Sequence, residues 1–195
     1  MATTVANRAI KARGKASPDR IQDNIQNAKV IKDQQVLNND VIHIAENEEL
    51  NIESLPAGNI SVPLSFWLEH STALKQREGS VAVQIAADES PEEITNDLSD
   101  LAMIVLPFVS YVDGRSYSHA HKLRLRHNYK GEVRAVGAVH FDQLDFLARC
   151  GCNAFELPDG DDHEAALAAF TEFTEVYQPA ADGGRLVFAR RRTVH

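Results

Sequence analysis

Cysteine is scarce: Cys150 and Cys152, one glycine apart, are the two present in 195 residues. Two thiols cannot build a disulfide framework, so the expected location is a reducing cytoplasm. Long apolar runs are missing as well. The longest, Leu101 to Val109 (LAMIVLPFV), falls far short of a bilayer span. No charged, then apolar, then small-residue signal opens the chain, so neither secretion nor membrane insertion is expected. Catalytic and cofactor fingerprints are also lacking. There is no HExxH, GxSxG, P-loop or GxGxxG, and no cofactor is evident. Positive charge is in deficit: the formal net charge is −8, which argues against nucleic acid as a partner.

What is present suits a soluble globular protein of one domain, with 44% apolar and 25% charged residues. Residues 1–27 are small, polar and basic, with Arg8, Lys11, Arg13, Lys15 and Arg20 against few acids. They read as a flexible tail, and 28–190 as a single α/β domain. Val30-Ile31 and Val41 to Ile44 look like short strands around an Asn-Asn-Asp turn, Leu50 to Gly58 like a loop, and Pro63 to Lys75 like an amphipathic helix. Trp67 reads as core.

From residue 80 the pattern becomes regular. VAVQIA (81–86), AMIVLPF (102–108), EVRAVGAV (132–139) and NAFEL (153–157) read as strands. Between them fall helical segments: Ser90 to Asp100 with a capping box at Ser90 and Glu93, Ser116 to His127, and Phe141 to Gly151 with glycine as the stop. A last helix is expected over His163–Val176 and a last strand over Arg185–Ala189. Alternating βα units imply a mainly parallel sheet, either an open three-layer arrangement or a half-barrel. In both, ligands favour the carboxyl ends of the strands. That rim receives Asp113-Gly114-Arg115, Val139-His140 and Leu157-Pro158-Asp159.

Asp113, Gly114, Arg115, Ser116, Tyr117 and Ser118 form a strand-to-helix turn that could take an anion. Gly114 permits a tight turn, Ser116 is a candidate cap, and the first helical amides face outward. Arg115, His119, Lys122 and Arg126 fall on one helical face, basic throughout. A solvated face, a docking face for an acidic partner and an arginine-lined oxyanion pocket all fit that spacing. Arg124 and Arg134 are candidates to support the anion. Arg134 lies inside a strand and would be costly if buried in the helical layer unless paired with Asp113, Asp142 or Glu156.

Cys150-Gly151-Cys152 reads as buried small residues rather than a redox pair. The histidines form no metal motif, and no metal site is expected. Asp159 to His163 is acidic, but as a βα turn with helix-capping residues it needs no cation.

The motifs DGR-x-YS-x-A (113–120), Leu123-Arg124, Tyr129-x-Gly-Glu-x-Arg-Ala-Val-Gly (to 137), Asp142-Gln143-Leu144 and Arg149-Cys150-Gly151-x-x-Ala-Phe resemble a bacterial family. It is the domain-of-unknown-function 934 family, whose members are commonly labelled "probable oxidoreductase involved in sulfite reduction" and are typically encoded beside sulfite reductase. The similarity runs from about 28 to 178 and is densest at 107–157. Ser116 stands where the family usually has glycine, Ala138 where an acid is common, and Cys152 where an aromatic is expected. The resemblance implies an accessory protein of assimilatory sulfite reduction, an oxidoreductase component being one form of that role; the rim at 113–118, read from the residues themselves, is where a small oxyanion or sulfite reductase would bind. Were it an enzyme, Arg115 would hold the anion and Tyr117 or His119 would supply protons. The alternative is a non-catalytic docking or maturation partner of the reductase, acting through the basic face 115–126.

Overall fold

Among the described residues eight strands share one sheet: β1 (Lys29–Lys32), β2 (Gln35–Asn38), β3 (Val41–His43), β4 (Asn59–Pro63), β5 (Val81–Gln84), β6 (Met103–Phe108), β7 (Glu132–Gly137) and β8 (Ala154–Phe155). The α-helices are α1 (Leu64–Leu74), α2 (Arg115–Leu125), α3 (Leu144–Cys150) and α4 (His163–Ala166). This computed structural model describes residues 29–45, 50–110, 112–158 and 160–172, with 178, 180 and 181. The expected N-terminal tail and the strand over Arg185–Ala189 lie outside those residues.

Strand order is β2-β1-β8-β7-β6-β5-β4-β3. Strands β3 to β8 are parallel and follow one another in chain order. Crossovers between parallel strands share one hand, so an order that never reverses puts every crossover on the same face. The burial agrees. Leu64, Phe66, Trp67 and Leu74 of α1, Ala120 and Leu123 of α2, and Leu144 and Leu147 of α3 join Ile60, Val83, Ile104, Leu106, Val133 and Phe155 in one core. Each large aliphatic side chain buried there contributes about 1.5–3 kcal/mol. Trp67 is indeed core, its Nε1–H donating to Asp97 Oδ2 at 3.2 Å.

A sheet covered by helices on one side only must hide its other side by curling. The link between β2 and β3 shows that it does. These strands are the two edges of the sheet, yet Asn39-Asp40 alone joins them, which brings Asn38 and Val41 within about 11 Å of each other. The fold is therefore a curled half-barrel, one of the two alternatives the pattern allows. Its concave face carries a second, smaller cluster of Val41, Ala82, Met103 and Val105, with Val136 packed against it.

Several local expectations shift. Strands β2 and β4 are additions: β1 and β2 form a hairpin closed by Asp33-Gln34, both at positive φ (49° and 61°), the backbone of a two-residue hairpin turn. Pro63 ends β4 and precedes α1. The capping box at Ser90 and Glu93 forms, but only a short 3₁₀ turn follows, Pro91–Ile94. Thr95, Asn96, Asp97, Ser99 and Asp100 favour turns over a continuing helix. The segment from Phe141 begins as a 3₁₀ turn and becomes α-helical at Leu144, ending as expected on Gly151 at φ 118°. Helix α4 passes into a 3₁₀ turn at Leu167.

Arg124 ties together the amino ends of β7 and β8. Its Nε donates to the Gly151 carbonyl at 2.8 Å, Nη1 to the carbonyls of Tyr129 (2.7 Å) and Gly131 (2.8 Å), and Nη2 to Asn153 Oδ1 (3.1 Å). Asn153 then receives the Val133 N–H and donates to Asp33. A lysine has neither the fork nor the donors for this, so Arg124→Lys should cost about 2–4 kcal/mol. Urea denaturation measures it; a loss under about 1 kcal/mol would show the clamp to be dispensable.

Candidate functional site

The turn after β6 delivers Asp113, Gly114, Arg115, Ser116, Tyr117 and Ser118 to the carboxyl-end rim as the pattern implies, but with different roles. Gly114 is the N-cap of α2 and makes no side-chain cap bond. Ser116 is buried, and its hydroxyl donates to the Pro107 carbonyl at 3.2 Å instead of capping. The helix start is served by Asp113. Its Oδ1 accepts the Arg115 backbone N–H (3.1 Å) and Nε (3.0 Å), and its Oδ2 accepts Nη2 (2.7 Å). Those bonds from the Arg115 side chain and backbone hold the Asp113 carboxyl down at about 2. An internal carboxylate thus fills the place a free oxyanion would take.

Tyr117 is fixed between rings, edge-on to Phe108 at 5.1 Å and tilted against Phe146 at 5.2 Å, with its hydroxyl accepting from Gln143 Nε2 at 2.9 Å. Ser118 is exposed. His119 is buried, and its Nδ1 finds no hydrogen-bond partner among the described residues. Burial first, and the Lys122 charge second, lower its pKa and favour the neutral ring. The basic face of α2 is largely answered within the molecule. Glu92 lies 3.4 Å from Lys122 Nζ and 4.0 Å from Arg126 Nη1, and is held ionised, down to about 2, chiefly by the Ser90 hydroxyl.

The structure does not bring Arg124 or Arg134 to this rim. Arg124 clamps the opposite end of the strands. Arg134 points away from the helices into the concave face, where burial leaves 4% of it exposed. Of its three proposed partners Glu156 is real, with Nη1 donating to Oε1 at 2.9 Å; Asp113 and Asp142 are replaced by Glu132, 2.6 Å from Nε. Nη1 also donates to Asn39 Oδ1 at 2.8 Å, across the junction of the sheet's two edges. Lys32 Nζ holds the far oxygen of Glu132 at 2.8 Å.

Glu156 continues the network to residues that sequence reading missed. His43 Nε2 lies 2.9 and 3.0 Å from the two Glu156 oxygens, and its Nδ1 lies 2.6 Å from Ser61 Oγ. A carboxylate can only accept, so Nε2 carries the proton; in the neutral ring Nδ1 then accepts from Ser61, which in turn accepts from Gln84 Nε2 at 2.9 Å. Serine, histidine and glutamate in line suggest nucleophilic catalysis. Yet Ser61 is 0% exposed, closed in by Gln84 and His43, and no substrate reaches its hydroxyl. The arrangement is a strut across the half-barrel. Period-two alternation in β3, β4, β5 and β7 puts these polar residues on one face, and that was the available signal.

No group of three or more metal-binding side chains gathers among the described residues. Cys152 is buried, and burial, with Cys150 beside it, pushes its thiol up to about 12, which makes it a poor nucleophile. Asp162 caps α4 through the amides of Glu164 and Ala165.

The rim offers something else the sequence did not announce. Val109, Val112, Phe141 and Phe146 stand exposed, Val112 at 88% and Phe141 at 65%. Val109 and Val112 lie on the loop after β6, Phe141 opens the 3₁₀ turn after β7, and Phe146 lies in α3. Between the start of α2 and the segment from the 3₁₀ turn into α3, an open cleft of about 510 Å³ is lined by Gly114, Tyr117, Asp142, Gln143 and Phe146.

A family model described as bacterial protein of unknown function (DUF934) matches residues 82–188. No curated protein and no solved structure matches the chain. The matched span holds the cleft, Arg134 and Glu156; Asn39, His43 and Ser61 come from the part before it.

Removing Arg134 would leave Glu132 to Lys32 and Glu156 to the His43 hydrogen bond, with no cation between the two carboxylates. Arg134→Ala should therefore cost about 3–5 kcal/mol in denaturant unfolding, and a cost below about 1 kcal/mol would contradict the strut. Glu156 adds a pH signature. Burial alone would raise its carboxyl, but the His43 hydrogen bond and charge, with those of Arg134, outweigh it and leave the group below the ordinary glutamate value. Its stabilising contribution is present above that value and is lost as pH falls through the lowered one. Wild-type stability should decline below about pH 4.5, more steeply than that of Glu156→Gln. Parallel profiles would rule this out.

Proposed function

We propose, for a chain that belongs to the DUF934 family of bacterial proteins of unknown function, that it is an accessory protein of assimilatory sulfite reduction which meets sulfite reductase through its carboxyl-end rim. The pathway comes from the resemblance of residues 107–157. The surface comes from one observation: four large apolar side chains stand exposed at the strand-end rim, Val109 and Val112 after β6, Phe141 after β7 and Phe146 on α3, and Phe146 lines an open cleft there. Exposed apolar residues grouped beside polar ones are the mark of a protein-binding surface. The charged features at the same end are already engaged, Arg115 by Asp113 and Lys122 by Glu92. They favour neither a free oxyanion nor docking by the basic face of α2.

Capture of purified sulfite reductase on the immobilised protein tests this. Wild type should retain it, and Val112→Asp or Phe146→Asp should weaken retention by about tenfold or more. Retention should survive about 0.5 M salt, where contact through exposed charges would be screened. Failure of the wild type to capture the reductase overturns the reading. Sulfite alone should give no thermal stabilisation; a shift that disappears in Arg115→Ala would restore the oxyanion in its place.

A further inference from the structure

We infer that the cleft between Gly114 and Phe146 is the seat of an arginine side chain presented by the partner protein, an inference that rests on the rim being a docking surface. The cleft has two kinds of wall. One is aromatic, made by the rings of Tyr117 and Phe146 at 5.2 Å from each other. The other is the Asp142 carboxylate, which takes no hydrogen bond or ion pair among the described residues, unlike Asp97, Asp100 and Asp113. A planar cation satisfies both at once, since a guanidinium stacks on an aromatic face while its edge donates to a carboxylate. An ammonium does only the second well.

The walls are set before anything binds. Gln143 donates to the Tyr117 hydroxyl at 2.9 Å and accepts the His140 N–H at 3.0 Å, and Phe108 backs the Tyr117 ring. Little ordering remains to be done on association, which favours affinity. The local charge points the same way. Arg115, the cation next in sequence to the cleft, is neutralised by Asp113. The whole chain carries −8, which steers a basic partner surface inward. On this reading the partner supplies the cation, where the basic helix face by itself would suit an acidic partner.

Two measurements separate this from the docking reading beneath it. In the first, N-acetyl-arginine amide is titrated into the full chain at millimolar concentration while backbone amide shifts are followed. Shifts should appear at Gly114, Tyr117, Asp142 and Phe146, vanish in Asp142→Asn, and be absent with N-acetyl-glutamate amide. No shifts, or equal shifts from the glutamate probe, would overturn the arginine seat. The second is reductase capture by Asp142→Asn, an exposed change that leaves the fold intact; retention should fall about tenfold. If Asp142→Asn captures normally while Phe146→Asp does not, the rim docks its partner and the arginine seat is wrong. If neither variant changes capture, the docking reading itself fails, and the titration alone decides what the cleft accepts.

Discussion

Arg134 sits where water cannot hydrate it, on the inner face of a sheet whose edges must meet. Everything around it supplies what water would. Glu132 and Glu156 bring charge, and Asn39 brings a carbonyl from the junction between β2 and β3. Charges then alternate along the concave face: Lys32, Glu132, Arg134, Glu156, with His43 closing the row. Such a network returns little net stability, because desolvation consumes most of the Coulombic gain. Its effect is geometric. Arg134 reaches Asn39 and Glu156 reaches His43 only when the strands carrying them have curled towards each other, so satisfying the guanidinium selects the half-barrel over a flat sheet.

This assignment of roles leaves the polar groups of the concave face engaged with one another. Polar groups that could serve catalysis, Ser61 and His43 above all, spend their donors and acceptors on one another. The amino ends of β7 and β8 are likewise committed, to Arg124 and Asn153. At the carboxyl rim, by contrast, Val112, Phe141 and Phe146 face solvent and Asp142 has no hydrogen-bond or ion-pair partner among the described residues. Rigidity below and unspent surface above suit a protein that presents a binding face.

Much of the architecture could be read from residue order. The regular βα alternation after residue 80, the glycine stop at Gly151 and the burial of Trp67 follow from local periodicity and capping. Choosing between an open sheet and a half-barrel did not, because strand order is a tertiary property; it emerged only when two adjacent edge strands, β2 and β3, turned up at opposite ends of the sheet. The same gap hid the polar strut. Glu156 could be named as a partner for Arg134 on charge grounds, but Asn39, His43 and Ser61 become neighbours only through closure. At the rim, the pairing of the Asp113 carboxylate with the Arg115 side chain and amide could not be read from their adjacency in the chain. Phe141 and Phe146 were absorbed into an apolar helix pattern, although their positions face outward.

Amide hydrogen exchange on the chain with and without sulfite reductase bears most directly on this account. Protection confined to residues 109–117 and 141–146, with β6 and β7 unchanged because they are already closed, is the expected footprint. Protection centred on 119–126 instead, or new protection along β3 and β4, would contradict a rim-docking protein built on a self-satisfied half-barrel.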